Sequence, residues 1–322
     1  MICFAVERIV CIPVTCASSD AYRLDSAFFE TSMRIDSHHH LWRYDPVAFD
    51  WIPDGMAGLR RDFLLPELEE EMRQALVDGS IVVQARQTLE ETTWLLEMAR
   101  GSSIYGVVGW APIVAAEFPD VLDALRRNPL LKGLRHIVQA EPEGFLLRPE
   151  FLRGIRAMHG CGLVYELLVY APQLPEAIRL VDLYPDQPFV LDHAGKPRIA
   201  SGEIETWRRD LRKLATRPNV VCKVSGLVTE ADADAWTPEQ LGAYFEEMLE
   251  SFGAERLMIG TDWPVCTSRC SYKDWWAIVE DWVRPLSLSE QAQILGGNAV
   301  RVYNLVLGLT AQGNGRTVGE QH

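Results

Sequence analysis

Between residues 33 and 307 the chain alternates two patterns of apolar and polar positions. Short, nearly continuous apolar runs rich in β-branched and aromatic residues occur at 33–38 (MRIDSH), 80–85 (SIVVQA), 104–110 (IYGVVGW), 132–138 (KGLRHIV), 163–169 (LVYELLV), 188–193 (PFVLDH), 219–225 (NVVCKVS) and 256–262 (RLMIGTD). Runs of this kind predict strands buried on both faces. Between them lie stretches with apolar residues three and four apart, acids early and Gly at or near the end, as at 66–79, 90–101 and 237–253. These predict amphipathic helices. In the last of them Thr237 is the expected N-cap, Pro238 the first helical residue and Gly253 the stop. Eight consecutive βα units predict an α/β protein of one domain, a closed (β/α)8 TIM barrel over 33–307, rather than an open doubly wound sheet. No Gly-x-Gly-x-x-Gly follows the first strand and no P-loop occurs, so no nucleotide cofactor is expected.

In such a barrel the active site lies at the C-terminal ends of the strands. Reactive residue types gather there: Asp36-Ser37-His38-His39-His40 after strand 1, Arg135-His136 on strand 4, Asp192-His193 on strand 6 and Thr261-Asp262-Trp263 on strand 8. Five of the seven histidines fall at these ends, His159 and His322 being the exceptions. Side chains alternate along a strand, so His38 and His40 share a face while His39 turns away. Closure sets strand 8 beside strand 1 at a backbone spacing of about 4.8 Å. Asp262 is therefore expected next to His38 and His40, with His193 converging from strand 6. A single buried histidine is ordinarily hydrogen-bonded core, but three at one end with an aspartate on the adjoining strand point to a functional site. His38, His40, His193 and Asp262 suit one divalent ion such as zinc. The same groups also work without an ion, Asp262 as base and the imidazoles as hydrogen-bond donors.

His-x-His after strand 1, Leu191-Asp192-His193 with Lys196-Pro197, Lys223-Val224-Ser225-Gly226, Gly260-Thr261-Asp262-Trp263-Pro264 and Gly297-Asn298-Ala299 together resemble the amidohydrolase superfamily. The likeness spans about residues 33–307 and is narrower still to the lactone-hydrolysing branch, which includes sugar lactonases and 2-pyrone-4,6-dicarboxylate hydrolases. Gly133-Leu134-Arg135-His136 with Phe145-Leu146-Leu147-Arg148-Pro149 looks most like the L-fuconolactonases. The resemblance implies that Asp262 deprotonates the attacking water, that His38, His40 and His193 hold a metal or polarise the lactone, and that Arg135 and His136 bind substrate. One departure matters. The lysine that some superfamily members carbamylate to bridge two metals has no counterpart at the strand 4 end, which argues against a binuclear centre.

Opening a lactone is acyl transfer to water, and it needs a base, a positive partner for the carbonyl oxygen and a proton for the leaving alkoxide. Asp262 suits the first, the histidines, Arg135 or a bound ion the second, and His136 the third. A dicarboxylate substrate calls for several converging cations. Strand-end bases are sparse, namely Arg135, Lys196, Lys223 and Arg86, whereas Trp42, Trp51, Gln84, Trp110, Tyr165, Glu166 and Trp263 offer flat faces and neutral or polar contacts. Each such aromatic also serves ordinary core packing. The expected reaction is hydrolysis of an aldonolactone, L-fuconolactone-like, to its aldonic acid. The alternatives are a decarboxylase or hydratase on the same scaffold, a hydrolase of a pyrone dicarboxylate lactone, and a silent barrel that binds a sugar acid. The intact base and histidine cluster argue against the last.

Composition narrows the remainder. Hydrophobic residues at 48% and charged residues at 24% are ordinary globular usage. A net charge of −14, from 45 acids and 31 bases, argues against nucleic acid or an anionic membrane as partner. The seven cysteines, at 3, 11, 16, 161, 222, 266 and 270, contain no Cys-x-x-Cys, which suits a reduced, cytoplasmic protein. Cys266 and Cys270 have a spacing a metal could use but no second pair beside them. In residues 1–32 Glu7 and Arg8 interrupt the apolar stretch, unlike a secretory signal. That segment is expected to be a disordered extension ahead of a start at Met33, and 308–322 a polar tail.

Overall fold

The computed structural model describes residues 33–306. The expected extension 1–32 and tail 308–322 lie outside the described residues. Eight parallel strands pair in chain order: β1 Ile35–His39, β2 Gly79–Val83, β3 Ile104–Gly109, β4 Leu131–His136, β5 Val164–Leu167, β6 Phe189–Leu191, β7 Val220–Val224 and β8 Leu257–Ile259. Each lies within one residue of the run that predicted it. β6 and β8 stop short of theirs because the chain turns left-handed at His193 (φ 51°) and at Asp262 (φ 59°). Apolar composition does not register that change of backbone.

The helices pack outside the barrel. Thr237 caps Pro238–Phe252 by accepting the Gln240 N–H at 3.2 Å, as its sequence predicts. The helix expected over 66–79 is instead Leu65–Gln74, and Gly79 begins β2 rather than ending the helix. The helix Leu89–Ala99 starts with Thr88, whose hydroxyl accepts the Glu91 N–H at 3.2 Å. Glu91 in turn accepts the N–H groups of Ala85 at 3.0 Å and Arg86 at 2.7 Å, which fixes the turn leaving β2.

Closure of the ring rests on residues just beyond β8. The Asp262 N–H donates to the His38 carbonyl at 2.8 Å and the His40 N–H to the Trp263 carbonyl at 2.6 Å. The buried carboxylate of Asp36 accepts the Thr261 N–H at 2.9 Å, the Thr261 hydroxyl at 2.6 Å and the His38 N–H at 3.0 Å. A register shift in β1 between Asp36 and His39 changes which side chains face inward. Ile35 belongs to the apolar floor of the barrel, yet His38, three residues on, also points inside. A bulge of one residue produces that change of parity.

The barrel interior is layered. At the N-terminal end Ile81, Val83, Val108, Val164, Val190, Val221 and Met258 meet Ala299, Tyr303 and Leu305 from the closing helix Asn298–Val302 and its exit. The floor is thus sealed by apolar packing, and the polar residues above it face only the opposite end.

Burial pushes the Glu91 carboxyl up to about 7, more than its hydrogen bonds from Arg86 and Ala85 and its attraction to Arg86 restore. The folded state keeps this proton where the unfolded chain, with a glutamate value near 4.3, releases it. The contribution is therefore fully present below about pH 4.3 and lost as pH rises through about 7, at up to about 1.4 kcal/mol per pH unit. Urea unfolding between pH 4 and 8 should show this loss in the wild type and a flatter profile in Glu91→Gln.

Candidate active site

Directly above the apolar floor lies a layer of buried charge. Lys223 Nζ is 2.6 Å from Glu166 Oε1, 3.2 Å from Asp192 Oδ1 and 3.0 Å from His38 Nδ1. Arg135 Nη1 donates to Asp192 Oδ2 at 2.9 Å, and its other terminal nitrogen donates to the Gln84 carbonyl. The Tyr303 hydroxyl closes the group from below by donating to Glu166. Two carboxylates and two cations so placed balance one another, which burial requires. Burial opposes ionisation of Asp192, yet Lys223, His38 and Arg135 hold it well below the usual carboxylate range. Burial and the Asp192 charge push Glu166 up to about 7 against the pull of Lys223. Burial and the Lys223 charge keep His38 neutral, its pKa well below the ordinary imidazole value.

The next layer opens to solvent. Asp262 Oδ1 stands 3.4 Å from His40 Nε2, 3.8 Å from His38 Nε2 and 3.9 Å from His193 Nε2. Burial works against its ionisation, but His193, His40 and Lys196 outweigh it and lower the pKa, so Asp262 is a carboxylate at neutral pH. Burial holds His193 down at about 4, hence neutral. His40 Nδ1 lies 2.8 Å from the Val83 carbonyl, which can only accept, so that nitrogen carries a proton and Nε2 is the atom turned toward Asp262. His193 Nδ1 is fixed by Ser225 Oγ at 2.9 Å.

His193 begins a turn in which His193, Ala194, Gly195 and Lys196 all have φ between 49° and 68°. Left-handed backbone at non-glycine residues costs on the order of 1–2 kcal/mol each, so packing and hydrogen bonds must impose it. Trp207 does so in part by donating to the Ala194 carbonyl at 2.7 Å. Opposite the ring, Gly226 has φ 65°, and a Cβ there would lie 2.5 Å from His193 Nδ1.

A cavity of about 590 Å3 opens over these groups. His40, Arg135, His193, Lys196, Glu230 and Asp262 supply its charged and titrating wall, with Trp42, Trp51, Met56, Ile137, Leu168 and Val265 among the apolar lining and Gln87 and Gln139 as amides. Of the residues expected from sequence to form the site, His38, His40, His193, Asp262 and Arg135 come together and Trp42 and Trp51 line the cavity. His136, Gln84, Trp110, Tyr165, Glu166 and Trp263 do not line it, which corrects that expectation. His136 follows Arg135 on β4 and faces the helix layer, where its ring stacks on Phe145 at 4.9 Å and its nitrogens meet Trp110 and Glu141. Tyr165 likewise points outward against Phe151 and Phe189. Glu166 points inward but lies beneath the site in the ion layer. Gln84 is enclosed with its amide turned toward the Arg135 carbonyl at 3.4 Å. Trp263 is fully buried against Phe63 and contributes its backbone to ring closure.

Four residues here were given no role from sequence: Asp192, Lys223 and Lys196 figure there only as strand-end charges, and Glu230 not at all. The first two carried a readable signal, since an acid or lysine inside an apolar strand run must find a buried partner. Lys196 lies in the turn beyond β6 and Glu230 at the end of the one-turn helix Leu227–Glu230 beyond β7, both too short for periodicity to register.

Whether the donor set suits a metal is answered by atoms on the wall. His38 Nε2, His40 Nε2 and Asp262 Oδ1 converge within 4.8 Å, as do atoms of His38, Asp192 and His193, and among the described residues no other His, Cys, Asp and Glu group does so. Cys266 and Cys270 belong to neither. His38 and His40 bring their Nε2 atoms to 3.3 Å from one another beside a carboxylate. Two imidazole nitrogens facing each other beside a carboxylate suit one divalent ion.

The amidohydrolase family model matches residues 35–305. This chain belongs to the amidohydrolases. Among curated relatives of this amidohydrolase, a Burkholderia multivorans protein named L-fucono-1,5-lactonase is 39% identical over 85% of this chain and 97% of its own length. A Burkholderia ambifaria protein of the same name is 34% identical over 90% of this chain and 99% of its own length. A crystal structure of a Burkholderia multivorans amidohydrolase with bound zinc superposes with a TM-score of 0.82 at 39% identity, over 85% of this chain and 100% of that one. Among the described residues no helix is long and apolar enough to cross a membrane.

Because Gly226 combines a left-handed backbone with contact against a site imidazole, Gly226→Ala should lower stability by about 1–2 kcal/mol. It should also shift the His193 imidazole resonances in nitrogen-15 NMR. Unfolding curves and spectra matching the wild type would show that His193 does not depend on this glycine.

Proposed function

We propose that the protein hydrolyses a sugar lactone, an aldonolactone resembling L-fucono-1,5-lactone, to the open aldonate. The observation that carries this reading is the Asp262 carboxylate, held ionised at the wall of a cavity among three imidazoles. The names of the Burkholderia relatives favour the same substrate class. Asp262 Oδ1 takes a proton from water, and the water oxygen attacks the lactone carbonyl carbon. Arg135, on the cavity wall, faces the oxygen that gains charge, and stabilising that charge is a large part of such catalysis. The ring C–O bond then breaks, the alkoxide takes the proton that Asp262 accepted, and the new carboxylic acid ionises to the aldonate.

His38, His40 and Asp262, with His193 beside them, are proposed to hold one zinc ion, which when bound polarises the lactone carbonyl. The protein's own contribution is the fixed proton on His40 Nδ1, which turns Nε2 toward Asp262. A neutral substrate suits the wall better than a pyrone dicarboxylate. Arg135 is paired with Asp192 and Lys196 with Glu230, so the cavity offers no two unpaired cations among its described residues. The protein is proposed to act in the cytoplasm on this small molecule.

The reading is tested with a pH-indicator assay over aldono-1,4- and aldono-1,5-lactones. Asp262→Asn should lower kcat by about 10³-fold with an unchanged circular dichroism spectrum, the scale of removing a positioned base. Turnover close to wild type in that variant would remove Asp262 from its assigned role. Zinc titration by calorimetry should find one equivalent bound by the wild type and binding at least about 10-fold weaker in His40→Asn. Equal binding by both proteins would place the ion elsewhere.

A further inference from the structure

Apart from the groups around Asp262, the charged side chains on the described cavity wall are Lys196 and Glu230. Their Nζ and Oε1 atoms lie 3.4 Å apart, with 17% and 20% of the side chains exposed. That separation is loose for a charge-assisted contact, and it leaves most of the donors and lone pairs of the pair unused. An ammonium only donates and a carboxylate only accepts. Two neighbouring hydroxyls complete such a pair, one accepting from Lys196 and the other donating to Glu230. Water or a bare hydrocarbon ring offers no comparable fixed arrangement.

The position of the pair is tied to the reactive centre. Lys196 ends the left-handed turn that starts at His193, and its N–H donates to the His193 carbonyl at 2.8 Å. Glu230 ends the short helix Leu227–Glu230, which begins at Gly226 against the His193 ring. A shift of either residue therefore moves with His193. Beside them Tyr170, 42% exposed, lies with its ring 5.4 Å from Lys196 Nζ. Lys196, Glu230, Tyr170 and Gln139 are shared between the main cavity and an adjoining cleft of about 340 Å3. The cleft thus continues from the reactive centre past a polar pair and an aromatic face, the combination that suits a polyol with its hydroxyl edges and C–H faces.

We infer that Lys196 and Glu230, flanked by Tyr170, form a hydroxyl-reading subsite that selects polyhydroxylated lactones over lactones of the same ring without hydroxyls. This rests on the lactonase reading above and names the residues that set its substrate class. Sites built to hydrogen-bond a substrate hydroxyl discriminate strongly against analogues lacking it, because their polar groups are then left unpaired.

The test compares an aldono-1,5-lactone with δ-valerolactone in the wild type, Lys196→Met, Glu230→Gln and Lys196→Arg. The ratio of kcat/KM for the hydroxylated over the bare lactone should fall about 10- to 100-fold in Lys196→Met and Glu230→Gln, chiefly through KM. Lys196→Arg, which keeps a donor, should recover most of the ratio. An unchanged ratio, or equal losses on both lactones, overturns the subsite. If the wild type opens neither lactone, the lactonase reading fails by itself. Calorimetry of aldonate binding then decides the subsite: weaker binding in Lys196→Met upholds it, and binding equal to wild type overturns it.

Discussion

The site depends on the closure of β8 onto β1. Three residues beyond β8 a left-handed backbone at Asp262 turns its carboxylate toward His38 and His40, and the Asp262 N–H to His38 carbonyl bond holds it there. Asp36 binds both sides of the seam through Thr261 and the His38 N–H. Burial pushes the Asp36 carboxyl up to about 6 even though it accepts these bonds. A polar seam of this kind is more specific than apolar packing, since each donor has one place to go. The bulge in β1 is its counterpart on the other strand, because without that change of parity Ile35 and His38 would face opposite sides of the wall.

Beneath the seam, the ion layer keeps the reactive groups apart from the apolar floor. Lys223 joins Glu166, Asp192 and His38 from one nitrogen, while Arg135 joins Asp192 from the other side. The closing helix reaches this layer from below through Tyr303. The same residues that seal the barrel thus also complete the charge balance under His38. Such a layer adds little net stability over an apolar one, since desolvation offsets the attraction. Its effect is to fix which protons sit where under the site.

Much of the fold was legible because its strands are buried on both faces, and continuous apolar runs announce that burial. The helix Pro238–Phe252 was legible from its cap and stop, Thr237 and Gly253, which act locally. The end of the helix Leu65–Gln74 was not, because Gly79 pairs with Ile35 of β1, a contact that lies outside any local window. In the site, His38, His40, His193 and Asp262 were legible from alternation and ring closure. His136 and Tyr165 were misplaced for one reason: each lies next to an inward residue, and neighbours on a strand face opposite ways. Strand-end position alone does not separate a cavity residue from one that packs against a helix.

The sequence by itself determined the barrel, the number and order of its strands and the end at which the chemistry gathers. These follow from periodicity and composition, which are local properties of the chain. Only the tertiary structure decided the pairing of Lys223 with Glu166 and Asp192, the left-handed turn that carries His193 and Lys196, and the meeting of Lys196 with Glu230 across two loops. Each of these is a contact between residues far apart in the chain or a backbone state imposed by packing. Such contacts depend on distances that only closing the ring brings within hydrogen-bond reach.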